Sequence, residues 1–390
     1  MRQLSVYLPP LAGDYSGVCS ALFDYNCLIL IQDAACCTRN YVDYDEPRWS
    51  RTKRTTLCAQ LRTMDAILGN DEKLVRKALE AAEQTHPDFI AVLGSPVPAI
   101  IGTDFEGIAH EVEALSGLPT LGFSTTGFST CESGVSMALE ALCARFALPG
   151  VPQLPHGVNV LGLTPLDFGA EGNDKLLRAW LEGAGFQVNC MLAMGCTLDQ
   201  TARLAAARVN LVVSRGGLAA ARFMQRRFGI PWVAGVPVGD TGGEAVARLL
   251  RATLTDGENR VLHPERQSRP GRALLIVAEQ LTGNGLRAAL AAGGWAGECT
   301  VASLFGLDSE LALPGDLALG GESELLALLR SGRYEGLIAD PLITALPGAE
   351  GLWRRQWVHP AVSSHLHARD VPKLFGESTE GWLRHWAVGR

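Results

Sequence analysis

Short, wholly apolar runs recur along this chain at intervals too long for hairpins. Cys27-Leu28-Ile29-Leu30-Ile31 and Phe89-Ile90-Ala91-Val92-Leu93 are the clearest, and further strand candidates fall at 119–123, 158–163, 186–192, 210–214, 231–237, 273–278 and 336–340. A strand that is apolar on both faces belongs in a sheet covered on both sides, which in practice means parallel strands joined by helical crossovers. The stretches between the runs have helical periodicity. In Asp71-Glu72-Lys73-Leu74-Val75-Arg76-Lys77-Ala78-Leu79-Glu80-Ala81-Ala82 the apolar positions 74, 75, 78, 79 and 82 share one helical face. The expected fold class is therefore α/β.

At 390 residues the chain is too long for one ordinary domain. Two breaks interrupt the rhythm: the Pro/Gly-rich stretch from Leu148 to Gly157, and the polar segment from Asn259 to Gly271. They divide the chain into three expected units, 1–150, 151–265 and 266–390. No phosphate loop of the GxxxxGK[ST] form occurs, and no GxGxxG follows a strand. Thr282-Gly283-Asn284-Gly285 reads instead as a turn opening a helix. Energy or electrons are thus expected from a partner.

A net charge of −7 without basic runs argues against nucleic acid or an anionic membrane as a partner. The longest apolar runs are strand-sized, far short of the roughly 20 residues of a spanning helix, and Met1–Gly17 lacks the apolar core of a secretory signal. The expected location is the cytoplasm. There, ten cysteines are better explained as buried small hydrophobes, cluster ligands or reactive thiols than as disulfides. No Cys-x-x-Cys pair exists, but four of the ten lie between 19 and 37.

Within that cluster, the strand at Leu28–Ile31 runs into Gln32-Asp33-Ala34-Ala35-Cys36-Cys37-Thr38-Arg39-Asn40-Tyr41. Two adjacent thiols are thereby presented at the carboxyl end of a strand, where open parallel sheets place ligand sites. Adjacent cysteines bond to each other only with strain, so both are free thiols or one is a cluster ligand.

The surrounding segments follow a recognisable order. Tyr7-Leu8-Pro9-Pro10-Leu11-Ala12-Gly13-Asp14-Tyr15-Ser16-Gly17-Val18-Cys19 precedes the loop. Asp45-Glu46-Pro47, Gly69-Asn70-Asp71-Glu72-Lys73-Leu74, Gly94-Ser95-Pro96 with Ile101-Gly102-Thr103-Asp104, and Gly117-Leu118-Pro119-Thr120-Leu121-Gly122-Phe123 follow it. Further on come Gly195-Cys196-Thr197-Leu198-Asp199, Val209-Asn210-Leu211-Val212-Val213, Phe228-Gly229-Ile230-Pro231-Trp232, and His359 ahead of Ala368-Arg369-Asp370. In this order the chain resembles the nitrogenase component 1 family, whose relatives include dark-operative protochlorophyllide reductases, cofactor scaffolds and the nickel-sirohydrochlorin reductive cyclase.

The resemblance implies three Rossmann-like parallel-sheet domains around a central cleft. It implies an iron–sulfur cluster at a subunit interface, with Cys36 matching the family cysteine and Cys37 the alternative if the register slips by one. The earlier cluster cysteine of the family falls near Asp14, where Asp14 or Cys19 could substitute. The family's third cysteine is absent, with Ser95 and Pro96 in its place, so the expectation is a four-iron cluster ([4Fe–4S]) to which each chain gives one or two ligands. At the cofactor positions the resemblance places Ser214 and His359. A serine is a poor ligand for a soft iron–sulfur cofactor, so no iron–molybdenum cofactor and no dinitrogen reduction are expected.

The implied function is that of a reductase subunit. It takes electrons from a separate ATP-dependent iron protein and reduces a small or tetrapyrrole-like substrate, as a homodimer or a heterodimer with a related component 1 chain. The alternatives are a non-catalytic scaffold or carrier for a metallocofactor or tetrapyrrole, and a periplasmic-type binding protein, which the free thiols disfavour. Ser124–Thr130 reads as a cap for the helix that begins near Cys131, Cys143 as a core thiol, and His365-Leu366-His367 as strand or loop.

Overall fold

The computed structural model describes residues 5–50, 54–69, 71–264 and 273–387. They form three parallel sheets clothed in helices. The first contains β1 (Cys27–Gln32), β2 (Thr56–Cys58), β3 (Phe89–Gly94) and β4 (Thr120–Phe123) in the order β2-β1-β3-β4. The second contains β5 (Gly157–Leu161), β6 (Gln187–Met191), β7 (Val209–Val212), β8 (Trp232–Ala234) and β9 (Arg260–Val261), ordered β6-β5-β7-β8-β9. The third contains β10 (Ala273–Val277), β11 (Glu298–Ser303), β12 (Leu317–Ala318), β13 (Gly336–Ala339) and β14 (Trp353–Gln356), ordered β12-β11-β10-β13-β14.

The continuous apolar runs are the central strands. Every residue of β1, β3 and β5 is buried, since helices cover both faces of their sheets. The strands that periodicity does not reveal are short or polar. β2, β9 and β12 span two or three residues, and β14 is Trp-Arg-Arg-Gln with an exposed face. The first two sheets share a flavodoxin-like order and the third has the order of a Rossmann half. Each therefore has a switch point where successive crossovers diverge: between β1 and β3, β5 and β7, and β10 and β13. Ligand crevices of such sheets open at the carboxyl ends of those strands.

The first and last described segments cross between sheets. The backbone N–H groups of Val6, Tyr7 and Leu8 donate to the carboxylate of Glu322 beneath the third sheet, and Leu8 and Ala12 join that sheet's core. The Glu377–Ala387 helix returns to the second unit, where Asp240 N–H donates to Glu380 and Leu383 sits against Gly239. The expected boundary at 265/266 lies outside the described residues.

Two local expectations change. The Gln280–Ala292 helix starts ahead of Thr282-Gly283-Asn284-Gly285, capped by the Glu279 carboxylate accepting from Thr282 N–H at 2.8 Å. The glycines lie inside it, where a Cβ at Gly285 would collide with the backbone of Val236 and one at Gly283 with Val301. The Ser124–Thr130 hydroxyls are not a cap either. Thr125 Oγ1 donates to Gly94 O at 2.7 Å and Thr126 Oγ1 to Asp14, while the N-cap residue Thr130 makes no side-chain cap bond. These two hydroxyls tie the loop after β4 to the carboxyl end of β3 and to Asp14.

Candidate functional site

Two places stand at carboxyl ends of the sheets, and the sequence-predicted residues divide between them. The first is a thiol corner beyond β1. The chain leaves Gln32 through Ala35, whose φ of 118° lies in the left-handed region that an alanine enters at a cost of about 1–3 kcal/mol. This turn starts the short Cys36–Asn40 helix, held by the Asp33 carboxylate, which accepts from Thr38 N–H at 3.0 Å and Thr38 Oγ1 at 3.2 Å. Cys36 is exposed and Cys37 half-buried. The Cys37 thiol is pushed up to about 11 by burial and by Asp33, and it meets the hydroxyl of Tyr15. Cys58, at the end of β2, is half-buried and donates to Asp33 O at 3.2 Å, so a third thiol stands at the same sheet end. Its position as the last residue of a three-residue strand carries no sequence signal.

Asp14 and Cys19 do not join this corner as open donors. Asp14 Oδ1 accepts from Tyr15 N–H at 2.8 Å and Gly127 N–H at 2.7 Å, and Oδ2 from Thr126 N–H at 2.8 Å and its hydroxyl at 3.1 Å. Four donors fill the roughly four acceptor sites of a carboxylate. Cys19 lies wholly within the core, its thiol raised by burial and by Glu46 and Asp45. Both are set by one close crossing of the Asp14–Leu22 and Cys131–Phe146 helices, where a Cβ at Gly17 would collide with Cys131 O and one at Gly134 with Asp14 O. Among the described residues, no three of His, Cys, Asp and Glu are placed to hold a metal ion within one chain.

The second place is the junction of the three sheets. Ser214 follows β7 and Gly162 follows β5, the switch-point pair of the second sheet. Ser214 Oγ donates to Gly162 O at 2.7 Å and is fully buried, so its hydroxyl is spent on the backbone. The next residue, Arg215, does the bridging. Its N–H donates to Glu279 Oε1 at 2.9 Å, its Nε pairs with Glu132 Oε2 at 2.9 Å, and its Nη2 donates to Phe305 O. Glu132 comes from the first unit's Cys131–Phe146 helix, and Glu279 and Phe305 follow β10 and β11.

Beside this bridge lies His359, buried after β14. Its Nε2 meets Asp167 Oδ1 at 3.0 Å, its N–H donates to Asp340 Oδ2 at 2.9 Å, and its ring stands 4.7 Å from that of Phe305. Asp340 follows β13, so Glu279 and Asp340 occupy the third sheet's switch point. Among the described residues His359 Nδ1 has no hydrogen-bond partner, and the Glu132–Arg215 contact is an ion pair without an aligned hydrogen bond.

Four buried carboxylates, Glu132, Asp167, Glu279 and Asp340, thus share one arginine and one histidine. Burial, then the charge of Glu279, holds the Glu132 carboxyl well above the ordinary range, with Arg215 opposing. Burial, then Asp167, raises Glu279. The bridge therefore retains a proton where an exposed pair would lose it. An acid held neutral beside a histidine can deliver a proton to a group undergoing reduction. Of the residues at this junction the sequence singled out His359 and Ser214, and not Glu132, Asp167, Arg215, Glu279 or Asp340. Their one signal is that Arg215 and Glu279 are charged residues immediately beyond apolar strands.

His365 and His367, expected in a strand or loop, lie instead in a one-turn helix, with His365 against Tyr44 and His367 Nδ1 at 3.3 Å from Asp370. A groove of about 1130 Å³ lined by His263, Arg287, Trp295 and Cys299 opens at the amino end of the third sheet, away from the strand ends that carry the junction.

Residues 25–311 match the family described as nitrogenase component 1 type oxidoreductase. This chain belongs to that family. It is 28% identical over 247 residues to a subunit of the light-independent protochlorophyllide reductase of Roseiflexus sp. (strain RS-1), covering 62% of this chain and 43% of the relative. It is 26% identical over 182 residues to the nitrogenase iron-molybdenum cofactor biosynthesis protein NifE of Clostridium pasteurianum, covering 46% and 39% respectively. The chain thus aligns with about two-fifths of the length of these relatives. A solved chain of "Nitrogenase Cp1 at pH 6.5" superposes over 100% of this chain and 94% of its own length, with a TM-score of 0.72 at 10% identity. A second, "Nitrogenase Cp1 at pH 5", gives a TM-score of 0.62 at 16% identity. At such identities the likeness concerns the fold: three parallel sheets of component 1 type. Among the described residues no helix is long and apolar enough to cross a membrane.

Proposed function

We propose that this chain is the substrate-reducing subunit of a nitrogenase-like system. A separate ATP-dependent iron protein supplies electrons, Cys36 is the ligand this chain gives to an interface iron–sulfur cluster, and the three-sheet junction handles the protons of reduction. The observation that carries the reading is the pairing of an exposed thiol corner at one switch point with a buried acid–base network at the other two. An exposed Cys36, with Cys37 and Cys58 at the same strand ends, suits a four-iron cluster completed by a second chain, a homodimer mate or a related component 1 chain. One chain alone does not supply four thiolates there. When bound, such a cluster would pass single electrons. The chain's own contribution is to hold a proton on the Glu132–Glu279 pair and to keep His359 oriented through Asp167.

A small or tetrapyrrole-like substrate fits this reading better than dinitrogen, because Ser214 is locked onto Gly162 where the family places a thiolate. The same observation favours a second reading, a non-catalytic carrier for a metallocofactor or tetrapyrrole. Anaerobic purification followed by iron quantitation and EPR tests the cluster. Wild-type protein is expected to carry iron that Cys36→Ala loses, and equal iron in the two would remove Cys36 from the ligand set. Turnover assays with an iron protein and ATP separate enzyme from carrier, since a carrier binds its cargo without an ATP-dependent electron supply.

A further inference from the structure

Outside both places, two thiols meet at the seam between the first and second sheets. β6 ends at Met191, and the chain turns back through residues 192–197. Within this turn Ala193 has φ 91° and Gly195 φ 69°. An alanine held in that region stores about 1–3 kcal/mol of strain. The turn brings Cys196 Sγ to 3.0 Å from Cys190 Sγ, closer than unbonded sulfurs ordinarily rest. Tyr25 of the first unit donates to or accepts from Thr201 Oγ1 at 2.8 Å, and that hydroxyl lies 3.4 Å from Cys196 Sγ. Gly195 N–H donates to Asp24 at 2.6 Å, fixing the turn from the other side.

The two sulfurs are unequal. The hydrogen bond from Cys190 and those from Thr201 and Tyr25 lower the Cys196 thiol to about 7 against the pull of burial. Cys190 is raised by the same contact and by burial. A thiolate and a thiol in contact are the reactants of disulfide chemistry. Cys196 is buried, but its neighbours Gly195 and Thr197 are exposed, so only a thin layer separates it from solvent.

We propose that Cys190 and Cys196 form a reversible intramolecular disulfide when the protein meets hydrogen peroxide. The Cys196 thiolate attacks one peroxide oxygen and the O–O bond breaks. The departing oxygen takes up a proton and leaves as water, and Cys196 becomes a sulfenic acid. Cys190 then attacks the Cys196 sulfur, the S–O bond breaks, and the Cys190 proton leaves with the hydroxyl as a second water. Two thiols lose two electrons in all, and hydrogen peroxide gains them. Shortening the S···S contact to the bonded length of about 2.05 Å requires a movement of about 1 Å. A dithiol reductant reverses the reaction.

Trypsin leaves both cysteines on one peptide, residues 179–203, because no Lys or Arg lies between Arg178 and Arg203. The reduced full-length protein is titrated with hydrogen peroxide, denatured in iodoacetamide and digested. The peptide is expected to lose two hydrogens, to escape alkylation about tenfold faster than the core thiol Cys143 is lost, and to recover after dithiol treatment. The rate should rise as pH passes through about 7, with Cys190, Cys143, Tyr25, Asp24 and Arg178 the ionisable groups around the pair. Cys190→Ser is expected to stop at a Cys196 sulfenic acid that dimedone captures, and Cys196→Ser to react no faster than Cys143. Alkylation of both cysteines after peroxide as complete as before it, or a disulfide to Cys143 instead, overturns the proposal. The wild-type mapping decides the matter even if neither variant folds.

Discussion

The thiol corner and the three-sheet junction occupy equivalent points of their sheets, yet they are built oppositely. At the corner the key group, Cys36, is exposed, sits on a five-residue helix, and owes its position to local features: a strained Ala35 and the Asp33 cap. At the junction the key groups are buried, come from all three units, and hold each other through Arg215. An exposed group can be mutated at little cost to the fold, whereas a buried charge network cannot lose one member without stranding its partner.

That contrast can be broken most directly at the helix crossing that carries residues of both places. Gly134→Ala forces a methyl into Asp14 O, and its cost is expected at or above the top of the roughly 1–3 kcal/mol range of overpacking. Urea unfolding measures it, and a loss under about 1 kcal/mol would show that the helices can separate freely. Next in size, Arg215→Met leaves Glu132 buried without its cation, while Glu279 keeps the Arg215 backbone N–H, and is expected to cost about 3 kcal/mol. Adding Glu132→Gln should restore part of that loss, and the absence of any rescue would break the charge argument.

Asp45, between the two places, sharpens the comparison through pH. Burial raises its carboxyl to about 6 despite hydrogen bonds from Ser16 and Asn40. The unfolded chain therefore releases this proton first as pH rises. The stability that Asp45 contributes is present below about pH 4 and is lost as pH rises through about 6, a change of about 3 kcal/mol. Asp45→Asn should gain on wild type by that amount between about pH 4 and about pH 7, measured as the difference in urea midpoints, and a constant difference would refute the shift. His359→Ala leaves Asp167 Oδ1 unpaired, with Oδ2 still held by the Thr164 hydroxyl, and is expected to cost about 1–3 kcal/mol. The smallest effect should be that of Cys36→Ala on the apoprotein, within about 0.5 kcal/mol. A large loss there would mean that the corner, too, is a structural site.

Much of this molecule is legible in its sequence. The apolar runs at 27–31 and 89–93 are central strands, Cys36 stands at the carboxyl end of the first of them, and Cys143 is a core thiol. Family resemblance points to Ser214 and His359, and both do lie at the junction, but Ser214 is held by Gly162. Sequence proximity cannot tell an open thiol or carboxylate from one engaged by Gly127 and Thr126, as Asp14 is, or sealed beneath the Gly17–Gly134 crossing, as Cys19 is.

What the sequence determined by itself is whatever depends on neighbours along the chain: strand and helix periodicity, the parallel class of the sheets, and the thiols that follow β1. The tertiary structure alone decided the union of Glu132, Asp167, Arg215, Glu279 and His359, and the contact between Cys190 and Cys196 across a reversed turn. Each is an ordinary residue in its own stretch of chain. Burial and charge become chemistry only when groups from distant segments are brought within about 3 Å, and no local pattern encodes that distance.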